Sequence, residues 1–347
     1  MHVLPRTVRW EDGKVILIDQ TKLPEELTFI ECEDLECVAK AIEEMKVRGA
    51  PAIGATAAFG LALVAHRSKA ENGKQLLVEL EKAAERLRKT RPTAVNLFWA
   101  VERVMKAARR EKNVERMRKR VIEEAIGIAE EDVESNKMIG EHGQELIEDG
   151  YTIMTICNAG SLATVHLGTV LAPIYTAWER GKKIRVIALE TRPVLQGARL
   201  TAFELHYAGI PVSLIVDGAS GYVMRNVGVD LVLVGADRIL RDGTVFNKIG
   251  TYNLAIIAKE HNVPFYSVAP TSTFDLKSKR EDVVIEQRDP SEVREIKGVK
   301  IAPEGVEVLN PAFDMTPPEY LAGILTEKGI LRPPLKDSID ELFGLLP

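Results

Sequence analysis

The chain of 347 residues reads as an α/β protein in two parts. A smaller, mainly helical N-terminal domain carrying a small antiparallel sheet spans residues 1–145, and a parallel-sheet domain spans residues 146–347. Three observations predict this. A hairpin signal opens the chain, amphipathic helical patterns fill the stretch up to about residue 147, and from Tyr151 short apolar runs alternate with helical patterns. Near-continuous apolar strands separated by helices point to a parallel sheet covered on both faces.

Taken in order, TVRWEDGKVILID holds two alternating runs flanking Asp12-Gly13, a favoured two-residue turn. A short strand, TFIEC, follows. DLECVAKAIEEMKVRG has apolar residues at helical spacing and Asp34 placed to cap its start. After Pro51, AIGATAAFGLALVAH is rich in Ala and Gly, as suits a buried helix in close contact with its neighbours. KQLLVELEKAAERLRKT and NLFWAVERVMKAARR are amphipathic, and a highly charged helical stretch from about Val114 to Ile147 connects the domains. The runs TIMTIC, IRVIALE, VSLIVD, LVLVGAD and PFYSVA are the expected sheet strands. The tail from about Lys277 mixes a polar strand-like piece, DVVIEQRD, with Pro-rich turns.

Composition narrows the function. Hydrophobic residues make up 46%, enough for a full core, and the net charge is −5. That balance argues against a general nucleic-acid binder. No apolar run is long enough to span a membrane, and the N-terminus lacks the apolar run of a signal peptide. The three cysteines, Cys32, Cys37 and Cys157, form no CxxC pair. Their odd count argues against a disulfide framework or a structural zinc site, and a reducing cytoplasm fits best. Cys32 and Cys37 are therefore read as packing residues. The six histidines are scattered and form no HExxH, so no metal is expected. Nor does the chain contain GxGxxG or GxxxxGK[ST], which disfavours dinucleotide and P-loop chemistry.

The chemistry is expected beyond the carboxyl ends of the strands, where open parallel sheets bind ligands. The five apolar runs end at Cys157, Glu190, Asp217, Asp237 and Ala269. Cys157 begins a loop, CNAG, read as leading into a helix whose first amides favour an anion or a polarised thiol. The alternative is a small buried apolar residue. Asp237 ends an apolar strand, where partial desolvation would suit it to acid–base work. The alternative is a turn cap or a pair with Arg238. Asn247 and Lys248 precede a helical pattern, a good phosphate site or an ordinary helix start. Arg48, Gly49 and Ala50 lie at a helix-to-helix turn beside Pro51, and Arg91 precedes Pro92 and Thr93 in a motif that is weak alone.

The segments RGAPAIG, CNAGSLAT, ETRPVLQGARLTAFEL, GADRILRDGTVFNKIGTY, PFYSVAPTSTFD and NPAFDMTP resemble the S-methyl-5-thioribose-1-phosphate isomerase family. The resemblance runs from the N-terminal hairpin to about Arg332. The wider superfamily includes regulatory subunits of translation initiation factor two-B and archaeal ribose-1,5-bisphosphate isomerases. The resemblance implies a Rossmann-like C-terminal domain and a homodimer. It also implies conversion of methylthioribose 1-phosphate to methylthioribulose 1-phosphate in methionine salvage, without cofactor. Carried over by position, Cys157 matches the catalytic cysteine and Asp237 the proton donor. Arg48, Gly49, Ala50, Arg91, Gln196, Asn247 and Lys248 match substrate-binding residues. Ser161 departs from the Ala of many members. A ribose-1,5-bisphosphate isomerase would need more cationic contacts near the sugar C5, and a translation subunit needs no paired thiol and carboxyl.

Overall fold

The computed structural model describes residues 2–92 and 94–345. It divides into two compact units. One comprises residues 4–136 with 160–168, and the other residues 137–159 and 169–345 with residues 2–3.

The N-terminal unit opens with β1 (Val8–Glu11), β2 (Lys14–Ile18) and β3 (Phe29–Cys32), an antiparallel sheet in that order. Asp12 and Gly13 both adopt positive φ (48° and 75°) and Glu11 pairs with Lys14, so the hairpin forms at the expected turn. Four helices follow: α1 (Leu35–Glu43), α2 (Ala50–Arg67), α3 (Gly73–Thr90) and α4 (Val95–Arg109). The Asp34 side chain caps α1 by accepting from the Cys37 N–H at 2.8 Å. Helix α2 is buried on nearly all sides. Its small residues admit neighbours closely: a Cβ on Gly54 would lie 3.1 Å from the Asn96 carbonyl, and one on Gly60 3.2 Å from Val38. The division between the units falls inside α5 (Val114–Gly143).

The structure overturns one reading here. Cys32 and Cys37 are joined in a disulfide, with Cα atoms 5.4 Å apart. Neither an odd cysteine count nor a five-residue spacing signals such a bridge. What forms it is the reversal at Asp34: β3 ends at Cys32, and Cys37 returns in the first turn of α1, within the span a disulfide tolerates.

In chain order, the C-terminal unit contains β4 (Thr152–Thr155), α6 (Leu171–Glu179), β5 (Arg185–Leu189), α7 (Ala202–Tyr207), β6 (Val212–Ile215), α8 (Ser220–Asn226) and β7 (Leu231–Val234). Next come β8 (Arg238–Leu240), β9 (Val245–Lys248), α9 (Thr251–Glu260), β10 (Phe265–Val268) and β11 (Phe274–Asp275). The remainder is α10 (Ser291–Arg294), β12 (Glu295–Ile296), β13 (Val299–Lys300), β14 (Phe313–Thr316), β15 (Gly323–Thr326), β16 (Gly329–Leu331) and α11 (Leu335–Leu342).

The main sheet runs β16-β15-β10-β7-β4-β5-β6, all parallel except the edge strand β16. Numbering the six parallel strands along the chain, their order is 3-2-1-4-5-6, that of a doubly wound dinucleotide-binding sheet, so the Rossmann-like expectation holds. The order reverses between β4 and β7. Strands β4, β7, β10 and β15 are wholly buried.

The strands of this unit depart from the sequence reading in three respects. VSLIVD was expected as a covered strand, but β6 is the sheet edge, where Ser213 and Leu214 are exposed. DVVIEQRD is irregular: it pairs with residues 310–312 only through a single bridge, Gln287 to Pro311, and leaves Val284 exposed. A second sheet, β11-β8-β9-β14, was not anticipated. Its hairpin β8–β9 turns at Gly243, with φ 87°. Among the described residues no helix is long and apolar enough to cross a membrane.

Candidate active site

The reversal in strand order places the ends of β4 and β7 side by side, the kind of point beyond which open α/β sheets bind their ligands. Cys157 follows β4 and Asp237 follows β7. The two loops touch. A Cβ on Gly235 would lie 3.1 Å from the Ala159 Cβ and 3.9 Å from the Asn247 Oδ1. The turn after β9 approaches as well, since a Cβ on Gly250 would lie 3.0 Å from the Ile156 Cδ1. Thus the C-terminal unit gathers the Cys157 loop, the Asp237 segment and Asn247 around one point.

Cys157 is a free, half-buried thiol. Its backbone is left-handed, with φ 63°, a conformation costing a non-glycine residue about 1–2 kcal/mol. Two side-chain hydrogen bonds hold it. Its N–H donates to the Thr191 Oγ1 at 2.7 Å, and its carbonyl accepts from the Thr201 hydroxyl at 2.6 Å. At about 0.5–1.5 kcal/mol each, these bonds match the strain. Thr191, itself at φ 66°, is fixed in turn: the Asp217 carboxylate accepts the N–H groups of Thr191 and Arg192 at 2.8 and 2.7 Å. Asp217, one of the expected convergent acids, is therefore a backbone clamp. The expected helix after CNAG is absent. A three-residue turn, Ser161–Ala163, follows instead, and α6 begins only at Leu171.

Asp237 is exposed, against the expectation of a partly desolvated carboxyl, because it stands just past the buried end of β7. Its N–H donates to the Phe246 carbonyl at 2.9 Å, anchoring it to β9. Arg238 is engaged by Asp275 at 2.9 Å.

Asn247 and Lys248 precede a helix, α9, as expected, but they stand at the end of the strand β9, separated from it by two residues. Both are buried. Asn247 donates to the Thr251 Oγ1 at 3.0 Å. The Lys248 ammonium donates to the Ala312 carbonyl at 3.1 Å and lies 4.9 Å from the centre of the Phe313 ring. The amides at the start of α9 are already taken by a carboxylate of the chain: Asp314, on β14, accepts from Gly250 at 2.7 Å and Tyr252 at 3.1 Å. Burial pushes the Asp314 carboxyl up to about 6, against the pull of those amides and of Lys248. Sequence reasoning missed Asp314, although it sits in the matched segment NPAFDMTP.

Gln196 is buried, and its Oε1 has no hydrogen-bond partner, a rarity that asks for a donor. It is seated by Gly197, where a Cβ would lie 1.7 Å from the Leu189 carbonyl, so only glycine lets this wide turn pack on β5.

In the N-terminal unit, Arg48, Gly49 and Ala50 form the entry to α2, with Pro51 in its first turn as expected. Gly49 is at φ 91°, and a Cβ there would lie 2.2 Å from the Ala163 carbonyl, so both conformation and space require glycine. Arg91 ends α3 and is half-buried, and its carbonyl accepts from Ala94. Thr93 lies outside the described residues. Among the described residues no group of three or more His, Cys, Asp or Glu could hold a metal ion.

Comparison with known proteins places this architecture. A methylthioribose-1-phosphate isomerase of Carboxydothermus hydrogenoformans is 52% identical over 341 residues, covering 97% of this chain and 99% of that protein. The solved 5-methylthioribose 1-phosphate isomerase from Pyrococcus horikoshii is 48% identical, with a TM-score of 0.95 over 99% of this chain and 97% of the other. A solved structure from A. fulgidus, named translation initiation factor eIF-2B subunit delta, is 49% identical, with a TM-score of 0.93 over 98% and 100%. The model of the initiation factor 2 subunit family matches residues 46–333. The chain is a member of that family.

Proposed function

We propose that the chain is an aldose–ketose isomerase that converts S-methyl-5-thioribose 1-phosphate to S-methyl-5-thioribulose 1-phosphate, a step of methionine salvage. The observation that carries this reading is near-full-length identity of about half to relatives bearing that name. It is supported by a thiol held in a left-handed backbone at the reversal of the strand order.

A sugar phosphorylated on C1 cannot open freely, because its anomeric oxygen is blocked. The C1–ring oxygen bond must break with both electrons passing to that oxygen, which takes a proton from Asp237. The hydrogen on C2 then moves to C1, as hydride or by loss and return of a proton, and Cys157 assists. The C2 hydroxyl becomes the ketone, and its proton restores the acid. Asp237 is exposed, so the bound sugar must itself remove the carboxyl from water and favour its protonated form. Arg48, Gly49, Ala50, Arg91, Gln196, Asn247 and Lys248 bind substrate in this reading. The orphaned Gln196 oxygen is suited to a sugar hydroxyl.

Purified protein should turn over methylthioribose 1-phosphate and act little on ribose 1,5-bisphosphate. A second phosphate would bury about two further charges, and unpaired buried charge costs several kcal/mol. Comparable kcat/KM on the two substrates would overturn the assignment. Lys248→Met should raise KM about ten- to a hundredfold with kcat largely kept, the loss of a charge-assisted contact made in ground and transition states alike. A collapse of kcat at unchanged KM would place Lys248 in the chemistry.

A homodimer belongs to the same reading and is measurable as sedimentation mass. The edge strand β6 and the segment after it expose Leu214, Val216, Tyr222 and Val227, apolar surface that a second copy would cover. Cytoplasmic placement also belongs to it. The Cys32–Cys37 disulfide then calls for one of the intracellular settings in which disulfides persist, such as those of hyperthermophiles.

A further inference from the structure

We infer that Glu204 is a positioning residue for the Cys157 thiol, acting through Asn158 and Thr201. The inference rests on the reading of Cys157 as a participant in the chemistry. Glu204, on α7, is 1% exposed. Its Oε1 accepts from the Asn158 Nδ2 at 2.7 Å, and its Oε2 from the Tyr175 hydroxyl at 3.3 Å. The Asn158 Nδ2 also donates to the Thr201 Oγ1 at 3.2 Å, and the Thr201 hydroxyl donates to the Cys157 carbonyl at 2.6 Å.

These bonds form a directed chain. The single Thr201 proton goes to the Cys157 carbonyl, which can only accept, so the bond with Asn158 is received on the Thr201 lone pairs. Asn158 presents its amide hydrogens there because Glu204, which can only accept when ionised, takes the other one. The carbonyl that Thr201 holds belongs to the residue whose left-handed backbone needs holding. A carboxylate buried this deeply is costly unless hydrogen-bonded. Here the bond to Asn158 leads on, through Thr201, to the backbone of the free thiol. Burial and the adjacent Glu204 push the Tyr175 phenol well above its ordinary value, so Tyr175 serves as a lasting donor.

The test uses the full chain, in which Cys157 is the single free thiol. Thr201→Val and Glu204→Ala should lower kcat about ten- to a hundredfold while KM stays within about threefold. Both should speed alkylation of Cys157 by iodoacetamide by at least about threefold, because the released loop exposes the thiol. Glu204→Gln should recover most of kcat: its amide oxygen still accepts from Asn158, and its NH2 donates to a Tyr175 hydroxyl turned to accept. If Glu204→Ala does not fold, Thr201→Val and Glu204→Gln decide. The proposal is overturned if folded Thr201→Val keeps the wild-type alkylation rate, or if Glu204→Gln is as impaired as Glu204→Ala. A Cys157→Ser enzyme with full turnover would remove the catalytic reading instead, while the alkylation rates still judge the positioning role.

Discussion

Asp237→Asn is expected to bind substrate with nearly unchanged KM and to lose about 10²–10⁴-fold in kcat, the usual worth of a general acid. The substitution keeps the shape of the side chain. It also leaves the backbone anchored, because that anchor is the residue's own N–H on the Phe246 carbonyl. The ionisable acid, with its transferable proton, goes. An ordinary aspartic acid, with a pKa of about 3.9, is ionised at neutral pH. The wild type should therefore show a kcat that falls with rising pH as the substrate-covered carboxyl loses its proton, and the variant should lack that limb. The measurement is a pH profile of kcat and KM for both enzymes. An Asp237→Asn enzyme with near-normal kcat would remove the acid role.

Cys157→Gly should separate function from stability at one position. Glycine adopts φ 63° without the strain of a side chain. Relief of about 1–2 kcal/mol outweighs or balances the roughly 0.5–1 kcal/mol that glycine costs in backbone freedom. The melting temperature should stay level or rise. Turnover should nonetheless fall about 10²–10⁴-fold, as for loss of a proton-transferring group. Cys157→Ser should fall alike with KM kept. A Cys157→Gly enzyme that is less stable than wild type would mean that the thiol contributes packing, and one that remains active would take Cys157 out of the reaction. Wild-type turnover in heavy water adds the route. Deuterium at C1 of the product supports loss and return of a proton, and its absence supports a hydride shift or a shielded proton.

How much of this was legible beforehand follows from the range of each interaction. The Asp12-Gly13 hairpin, the Asp34 cap, the Ala/Gly helix after Pro51 and the buried strands β4, β5, β7 and β10 all rest on neighbours a few residues apart. Periodicity and turn chemistry therefore reported them. The six matched segments likewise contain Cys157, Asp237 and every proposed substrate-binding residue except Arg91, because each segment is a local pattern of residue types.

Contacts between distant residues carried no such signal. Asp314 caps Gly250 across 64 residues, and Glu204 reaches Asn158 across 46. Neither pair has a local pattern to announce it. The exposure of β6 depends on which strand lies alongside it, and strand order is not written in any one run. Cys32 and Cys37 are close in sequence, yet their bridge depends on the direction in which α1 leaves β3. Composition specified the elements because hydrophobic period and turn preference are local properties. The meeting of the Cys157 and Asp237 loops beyond β4 and β7 required the 3-2-1-4-5-6 order, which only packing of the whole sheet selects.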